Sequence, residues 1–235
     1  MIRLERRLPG GAVVVIRFSE VIDGDLAPWS DGVEERRRSI DQRPWTWLEQ
    51  EHAAGVVSVR RPGDGAGAPG DASVTTTAGV VLSAQMADCA PVALWSDEGV
   101  IGVVHAGWRG LVAGVLPAAV GEMHRQGAGT VRGALGPCIR AVSYRFSVDD
   151  LDRVVSVLGE EVRGHTAAGE PALDIAAGVR ASLAGAGVID LHDVGADTAT
   201  SPRLWSWRAD RTRSRQAVLV VKDAPEEVAA TEDRT

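Results

Sequence analysis

The stretch "MADCAPVALWSDEGVIGVVHAGWRGL" (residues 86–111) decides how this chain is read. Residues 90–95 and 99–105 are apolar runs of strand length, and "SDEG" (96–99) between them reads as a turn. After "GW" the period changes. Leu111, Val112, Val115, Leu116, Ala119, Val120 and Met123 recur at helical spacing, which predicts a helix over 109–126 with Gly127 as its stop. Strand, turn, strand and helix in that order point to an α+β fold. Cys89 precedes the first strand and His105 closes the second. An antiparallel pair returns near its starting point over that length, so the two side chains are expected at one end of a sheet.

The rest of the chain extends this pattern. "GAVVVIRF" (11–18) reads as a strand, and "GVEERRRSI" (32–40) as a short polar helix or loop. Residues 45–60 hold one extended run at 55–59, preceded by His52. "RPGDGAGAPGD" (61–71) is a Gly/Pro loop with no packing side chains, expected to be mobile and able to lie over a site. A third apolar run covers 79–83. A strand at 131–135 leads into "GPCI". Helices are predicted over 150–158, with Asp149 or Asp150 near the start, and over 174–184. Strands at 188–191 and 216–221 close the fold. No internal repeat is visible. The apolar runs on either side of the Gly/Pro loop read as parts of one mixed sheet in a single domain, residues 1–222. The polar tail at 223–235 is expected to fray.

The 235 residues suffice for a substantial core, and a quarter of them are charged, as in a soluble globular protein. The net charge of −7, with no basic stripe to offset it, argues against a nucleic-acid partner. Lys222 is the only lysine among the 25 basic residues, a bias that fits a GC-rich genome. The apolar stretch at 12–16 is too short for a signal peptide, and Arg17 ends it. Nothing approaches the length of a membrane span. A cytoplasmic location follows as the default, and there two cysteines are expected as thiols, ligands or nucleophiles rather than a disulfide.

Three residues carry soft or borderline metal-ligand side chains in promising places: His52, Cys89 and His105. Two histidines and one cysteine leave a fourth position open on zinc, which is the catalytic pattern; no short-spaced pair supplies a structural site. Two other readings stay open on the residues alone. Cys89 and His105 can be packing residues, or a nucleophile–base pair. "HAGWRGL" (105–111) adds a helix start whose N–H groups, with Arg109, suit a phosphate or carboxylate. The plainer alternative is that Gly107 and Gly110 permit a tight turn and Trp108 packs.

With these residues in view, "ADCAPVALW" and "GVIGVVHAGWRGLVAGVL" resemble the core of the laccase-domain family. Its members are also called multicopper polyphenol oxidoreductases, purine nucleoside phosphorylases and peptidoglycan-editing factors. "QEH" (50–52), "GDASVTT" (70–76), "GALGPCI" (133–139) and "LWSWRADRTRSRQAVLVV" (204–221) are similar to flanking family motifs, so the resemblance covers about 50 to 221. It implies a layered α/β/β/α sandwich. It implies a zinc site on His52, Cys89 and His105, with a substrate pocket near Asp71, Trp108 and Arg109. The implied activity is phosphorolysis of adenosine, inosine, guanosine and methylthioadenosine, with adenosine deamination. The general base is expected at Asp71 or Asp88. The N-terminal segment is shorter than the family's, Ala53 stands where the family has Gly, and "DTATSPR" (197–203) replaces its C-terminal segment.

Three rival functions are carried forward. The first is a copper oxidase, since His₂Cys with an axial Met such as Met86 is a blue-copper set. A multicopper enzyme, however, needs many histidines, and this chain has five with no H-x-H pair; His124, His165 and His192 read as surface residues. The second is a metal-free cysteine hydrolase or amidase using Cys89 and His105, suited to peptidoglycan precursors. The third is a non-enzymatic binding module. The expected partners are a nucleoside and phosphate, and the expected state is a monomer or weak homodimer.

Overall fold

The computed structural model describes residues 1–225. The fraying expected of the tail concerns residues that, from 226 on, lie outside the described ones. Strands β1 (Ile2–Arg7), β2 (Val13–Phe18), β3 (Trp45–Thr46), β4 (Leu48–Glu49), β5 (Val56–Ser58), β6 (Ala68–Pro69), β7 (Ala72–Thr75) and β8 (Val81–Met86) form the first half. They are followed by β9 (Ala90–Ser96), β10 (Ile101–Ala106), β11 (Val131–Leu135), β12 (Arg163–His165), β13 (Pro171–Leu173), β14 (Leu191–Asp193) and β15 (Gln216–Asp223). The α-helices are α1 (Val33–Ile40), α2 (Trp108–Ala113), α3 (Val115–Arg125), α4 (Val148–Leu158), α5 (Ile175–Gly185) and α6 (Trp207–Asp210).

The main strands form two stacked sheets rather than one. The first runs β1-β2-β15-β8-β3 and the second β14-β11-β9-β10-β7-β5. Strict alternation of side chains packs them. Leu82, Ala84, Met86, Val218 and Val220 face Ala93, Trp95, Ile101 and Val103 across the inner layer. The intervening Val81, Leu219 and Val221 point outward onto Leu26, Trp45 and the partly buried Ile40 of α1. Val92, Leu94 and Val104 point the other way, onto the layer formed by α2 to α5. The result is an α/β/β/α sandwich, as expected, with the gap between sheets filled by aliphatic and aromatic side chains. Each such side chain that is fully buried contributes roughly 1.5–3 kcal/mol.

Several elements depart from the sequence reading. β1 is an additional edge strand, with Ile2 and Leu4 alternating with exposed charges. β7, within the "GDASVTT" motif, pairs with β10. The run at 79–83 reaches Met86 and belongs to the opposite sheet from β9, so the chain changes sheets at 87–89. The helix predicted over 109–126 breaks at Gly114, which adopts φ +85 and ends α2 while starting α3. α4 carries Asp149 and Asp150 in its first turn, as expected, and starts two residues earlier than the sequence reading, capped by the Ser147 side chain. The Gly/Pro loop is fastened rather than free. β6 within it pairs with β4, and Gly67 and Gly70 donate N–H bonds to Trp47 and Glu49 carbonyls at 2.8 and 3.1 Å. Among the described residues no helix is long and apolar enough to cross a membrane.

Candidate metal centre and cavity

The β9–β10 pairing brings Pro91 opposite His105 and Ala90 opposite Ala106, so Cys89 arrives at the end of the ladder where β10 finishes. His105 shares the parity of Ile101 and Val103 and therefore points into the inner layer, where it is buried. His52 enters from the loop after β4, in the left-handed region at φ +58. Gln50 fastens that loop to the end of β8: its amide donates to the Gln85 carbonyl at 2.7 Å and accepts the Gln85 N–H at 2.8 Å. The three candidate ligand atoms of His52, Cys89 and His105 all lie within 4.8 Å of one another, the one such group among the described residues.

Asp71 stands behind this trio. Its carboxylate accepts the backbone N–H groups of Glu51, His52 and Ala53 at 3.2, 3.0 and 2.8 Å, and sits 2.8 Å from His105 Nδ1. Burial favours the neutral acid, but the bonds from His105, Ala53 and His52 outweigh it and hold the carboxyl below its ordinary range. Asp71 is 1% exposed and does not reach the cavity. It engages His105 Nδ1 and leaves Nε2 on the side of Cys89, the ring orientation a metal ligand requires.

Asp88, at the sheet crossover, adopts φ +94. Its carboxylate accepts from Thr198 Oγ1, Ser206 Oγ and the Arg208 N–H, each at 2.7 Å. This clamp holds the chain from 198 to 208 against the residue that precedes Cys89. The sequence reading considered Asp88 only as a general base; in the structure each of its carboxylate oxygens already accepts a hydrogen bond, as does each of Asp71's.

The donor set fits a tetrahedral ion. Zinc bonds of about 2.3 Å to sulfur and 2.0 Å to nitrogen separate an S and an N ligand by roughly 3.5 Å; Cys89 Sγ lies 3.9 Å from His52 Nε2. Gly107 supplies the space. A Cβ there would sit 2.7 Å from His52 Cδ2 and 3.2 Å from Cys89 Sγ, inside the cradle. Burial opposes ionisation of Cys89, but His105 and His52 outweigh it and bring the thiol down to about 6. Burial likewise opposes a charged His105, which Cys89 and Asp71 raise to about 9. Without metal the pair therefore favours thiolate and imidazolium; a bound ion would take the place of the His105 proton, since ligation needs the thiolate and a neutral imidazole. Cys138 differs: it is fully buried and its thiol is pushed up to about 12 by burial.

The trio opens into a cavity of about 880 Å³. Trp108 and Arg109, expected here, both line it, and the Arg109 guanidinium lies 4.2 Å from the Trp108 ring centre. Trp108 also packs edge-on against Phe146, so its turn-packing role holds as well. Trp29, Trp47, Tyr144 and Trp207 extend the aromatic lining, and Arg208 and Arg215 add positive charge. These residues were not singled out from sequence. The density of four arginines in residues 208–215 was the available signal.

Residues 32–223 match the family model described as multi-copper polyphenol oxidoreductase laccase. The chain belongs to that family. A relative named purine nucleoside phosphorylase from Streptomyces coelicolor is 36% identical over 218 residues, 91% of this chain and 87% of its own. Another of that name, from Deinococcus radiodurans, is 39% identical over 178 residues, covering 74% and 68%. The solved structure of YlmD from Geobacillus stearothermophilus superposes with a TM-score of 0.79 at 25% identity, covering 91% of this chain and 93% of that one. A Neisseria meningitidis protein reaches a TM-score of 0.81 at 24% identity, covering 95% and 99%, which shows a shared fold. Membership and geometry together fit a metal-dependent, nucleoside-processing enzyme.

Proposed function

We propose that the protein is a zinc-dependent purine nucleoside phosphorylase acting on adenosine, inosine, guanosine and methylthioadenosine, with adenosine deamination at the same site. The observation that carries this reading is the ligand trio of His52, Cys89 and His105 opening into a cavity that also presents Arg109 and Trp108. The same site accepts other thiophilic ions such as copper, and loading experiments distinguish them. Bound zinc supplies Lewis-acid polarisation and lowers the pKa of water.

The chain's own residues do the rest. Arg109 offers a guanidinium fork to inorganic phosphate, and Trp108 holds that fork by stacking. Trp47 and Tyr144 line the cavity with flat apolar surface suited to a purine ring. Asp71 positions His105 rather than exchanging protons with substrate, and Asp88 positions Cys89 through the crossover. In wild-type protein, adenosine with phosphate should release adenine, and adenosine alone should yield inosine. Cys89→Ala and His105→Ala should each lose at least a hundredfold in turnover together with their bound metal. Undiminished turnover in both variants would sink the assignment.

A second reading has one observation in its favour. Asp71, His105 and Cys89 line up as the orienting acid, base and thiol of a cysteine hydrolase, with the thiol near 6. Metal analysis separates the two: stoichiometric zinc that disappears with Cys89→Ala excludes a free nucleophile.

A further inference from the structure

One buried cation lies outside both the metal centre and the cavity lining. Arg37, in α1, is 2% exposed. Among the described residues its side chain bonds Glu34 alone, at 2.6 Å, and the Glu34 side chain is 62% exposed, so that pairing is screened by solvent. Arg37 Nε and Nη2 are buried without a hydrogen-bond partner among the described residues. Burial pulls the Arg37 pKa down, and Glu34 offsets this in part. What the guanidinium faces instead is the pair of indoles in "WTW" (45–47). It lies 5.9 Å from the Trp45 ring centre and 5.1 Å from that of Trp47, both within reach of cation–π attraction.

The two rings have different surroundings. Trp45 is fixed in the outer core: it is buried, packs with Leu26 and Leu219, and donates its Nε1 hydrogen to the Asp41 carbonyl at 3.1 Å. Trp47 is half-buried and lines the cavity. No side-chain hydrogen bond among the described residues holds it, so packing alone sets the plane of its ring. Gly67 lies against its edge, where a Cβ would sit 3.4 Å from Cη2. For stability alone an apolar side chain would serve between two indoles, since a buried charge carries a desolvation cost. What arginine adds is a rigid planar cation that stacks on aromatic faces. We propose that Arg37 is a positioning residue for the substrate base: it anchors Trp47 to the core ring of Trp45, and Trp47 in turn presents flat surface to the purine. This rests on the phosphorylase reading, in which Trp47 lines the base site. Arg37 reaches neither the metal trio nor Arg109, so its contribution belongs to nucleoside affinity and not to zinc or phosphate.

The test is calorimetric binding of adenosine, and separately of inorganic phosphate, to the zinc-loaded full chain for wild type, R37M, W47A and R37M/W47A. W47A should weaken adenosine binding at least about fivefold, the low end of what base–aromatic stacking contributes. R37M should weaken it at least about threefold, the scale of a cation–π contact. In the W47A background R37M should change it by less than about 1.5-fold, because the ring it acts through is gone. Zinc content and phosphate affinity should stay at the wild-type level throughout. R37K keeps the charge without the planar fork and should fall between wild type and R37M; it carries the same cycle should R37M fail to fold. A loss that persists in full without Trp47 overturns the proposal, as does wild-type adenosine affinity in R37M or an equal loss for phosphate. Wild type without measurable adenosine affinity overturns it too. Coupled losses in a protein that releases no adenine with phosphate would uphold the role of Arg37 and strike the phosphorylase reading alone.

Discussion

The inner wall of the cavity and its rim are built on opposite principles. On the inner wall the carboxylates are spoken for: Asp71 accepts three backbone N–H groups and faces His105, and Asp88 accepts three donors of its own. Around Trp207 and Trp29, the exposed tryptophans at the rim, the Arg211 and Arg213 guanidinium groups have no carboxylate oxygen within 4.0 Å among the described residues. A site that must hold ligand atoms to within a fraction of an ångström needs the first arrangement, because unsatisfied buried groups cost about 1–3 kcal/mol each. A surface open to solvent has no such need, because water satisfies an exposed guanidinium.

The strongest way to break the inner wall is Gly107→Ala. The backbone at φ −74 and ψ 162 is ordinary for alanine, so the fold should survive. The added Cβ, 2.7 Å from His52 Cδ2, forces that ring off its position. Metal content measured by mass spectrometry should fall below a tenth of wild type, with turnover following it, while the unfolding midpoint of the metal-free protein stays within a few degrees. Full zinc occupancy in this variant would mean that the trio does not share one ion.

Asp71→Asn is the next largest test. Asparagine keeps one acceptor oxygen but places an amide where N–H donors converge. Loss of such an outer partner typically weakens metal affinity 10–100-fold. The unpaired N–H groups of the 51–53 loop should also lower stability by about 2 kcal/mol in denaturant titration. Zinc affinity equal to wild type in a competition assay would show that the His105 orientation is set without Asp71.

The halves of this comparison were unequally legible in sequence. Cys89 and His105 were placed together by spacing alone, because one tight turn joins β9 to β10 and the register leaves no freedom. Asp71 was named, but its role depends on a loop some twenty residues earlier and on His105 well after it. Asp88's donors lie more than a hundred residues away. Local pattern encodes a strand's period, and not which sheet it joins; hence the run at 79–83 is expected in one mixed sheet with β9 and lies in the other. β1 was readable from the alternation of Ile2 and Leu4 with charges, a pattern typical of an edge strand. The rim was written plainly in the arginines and tryptophans of 204–215, but composition bias toward arginine hid it.

The smallest expected effect contrasts the two cysteines in metal-free protein. Cys89, half-buried at the cavity, has its thiol lowered to about 6, whereas burial pushes Cys138 to about 12. A lowered thiol pKa means the reactive anion is present above that value and disappears as pH falls through it. Alkylation by iodoacetamide should therefore rise several-fold between pH 5 and 7 and then level off, modifying Cys89 alone by peptide mapping. An ordinary thiol, near 8.5, would still be climbing across that plateau. Zinc added before the reagent should slow the labelling of Cys89 at neutral pH, because donation to the metal lowers the nucleophilicity of the thiolate. Cys138 labelled at the same rate, or Cys89 labelled equally with and without zinc, would erase the distinction between a functional thiol and a packing one.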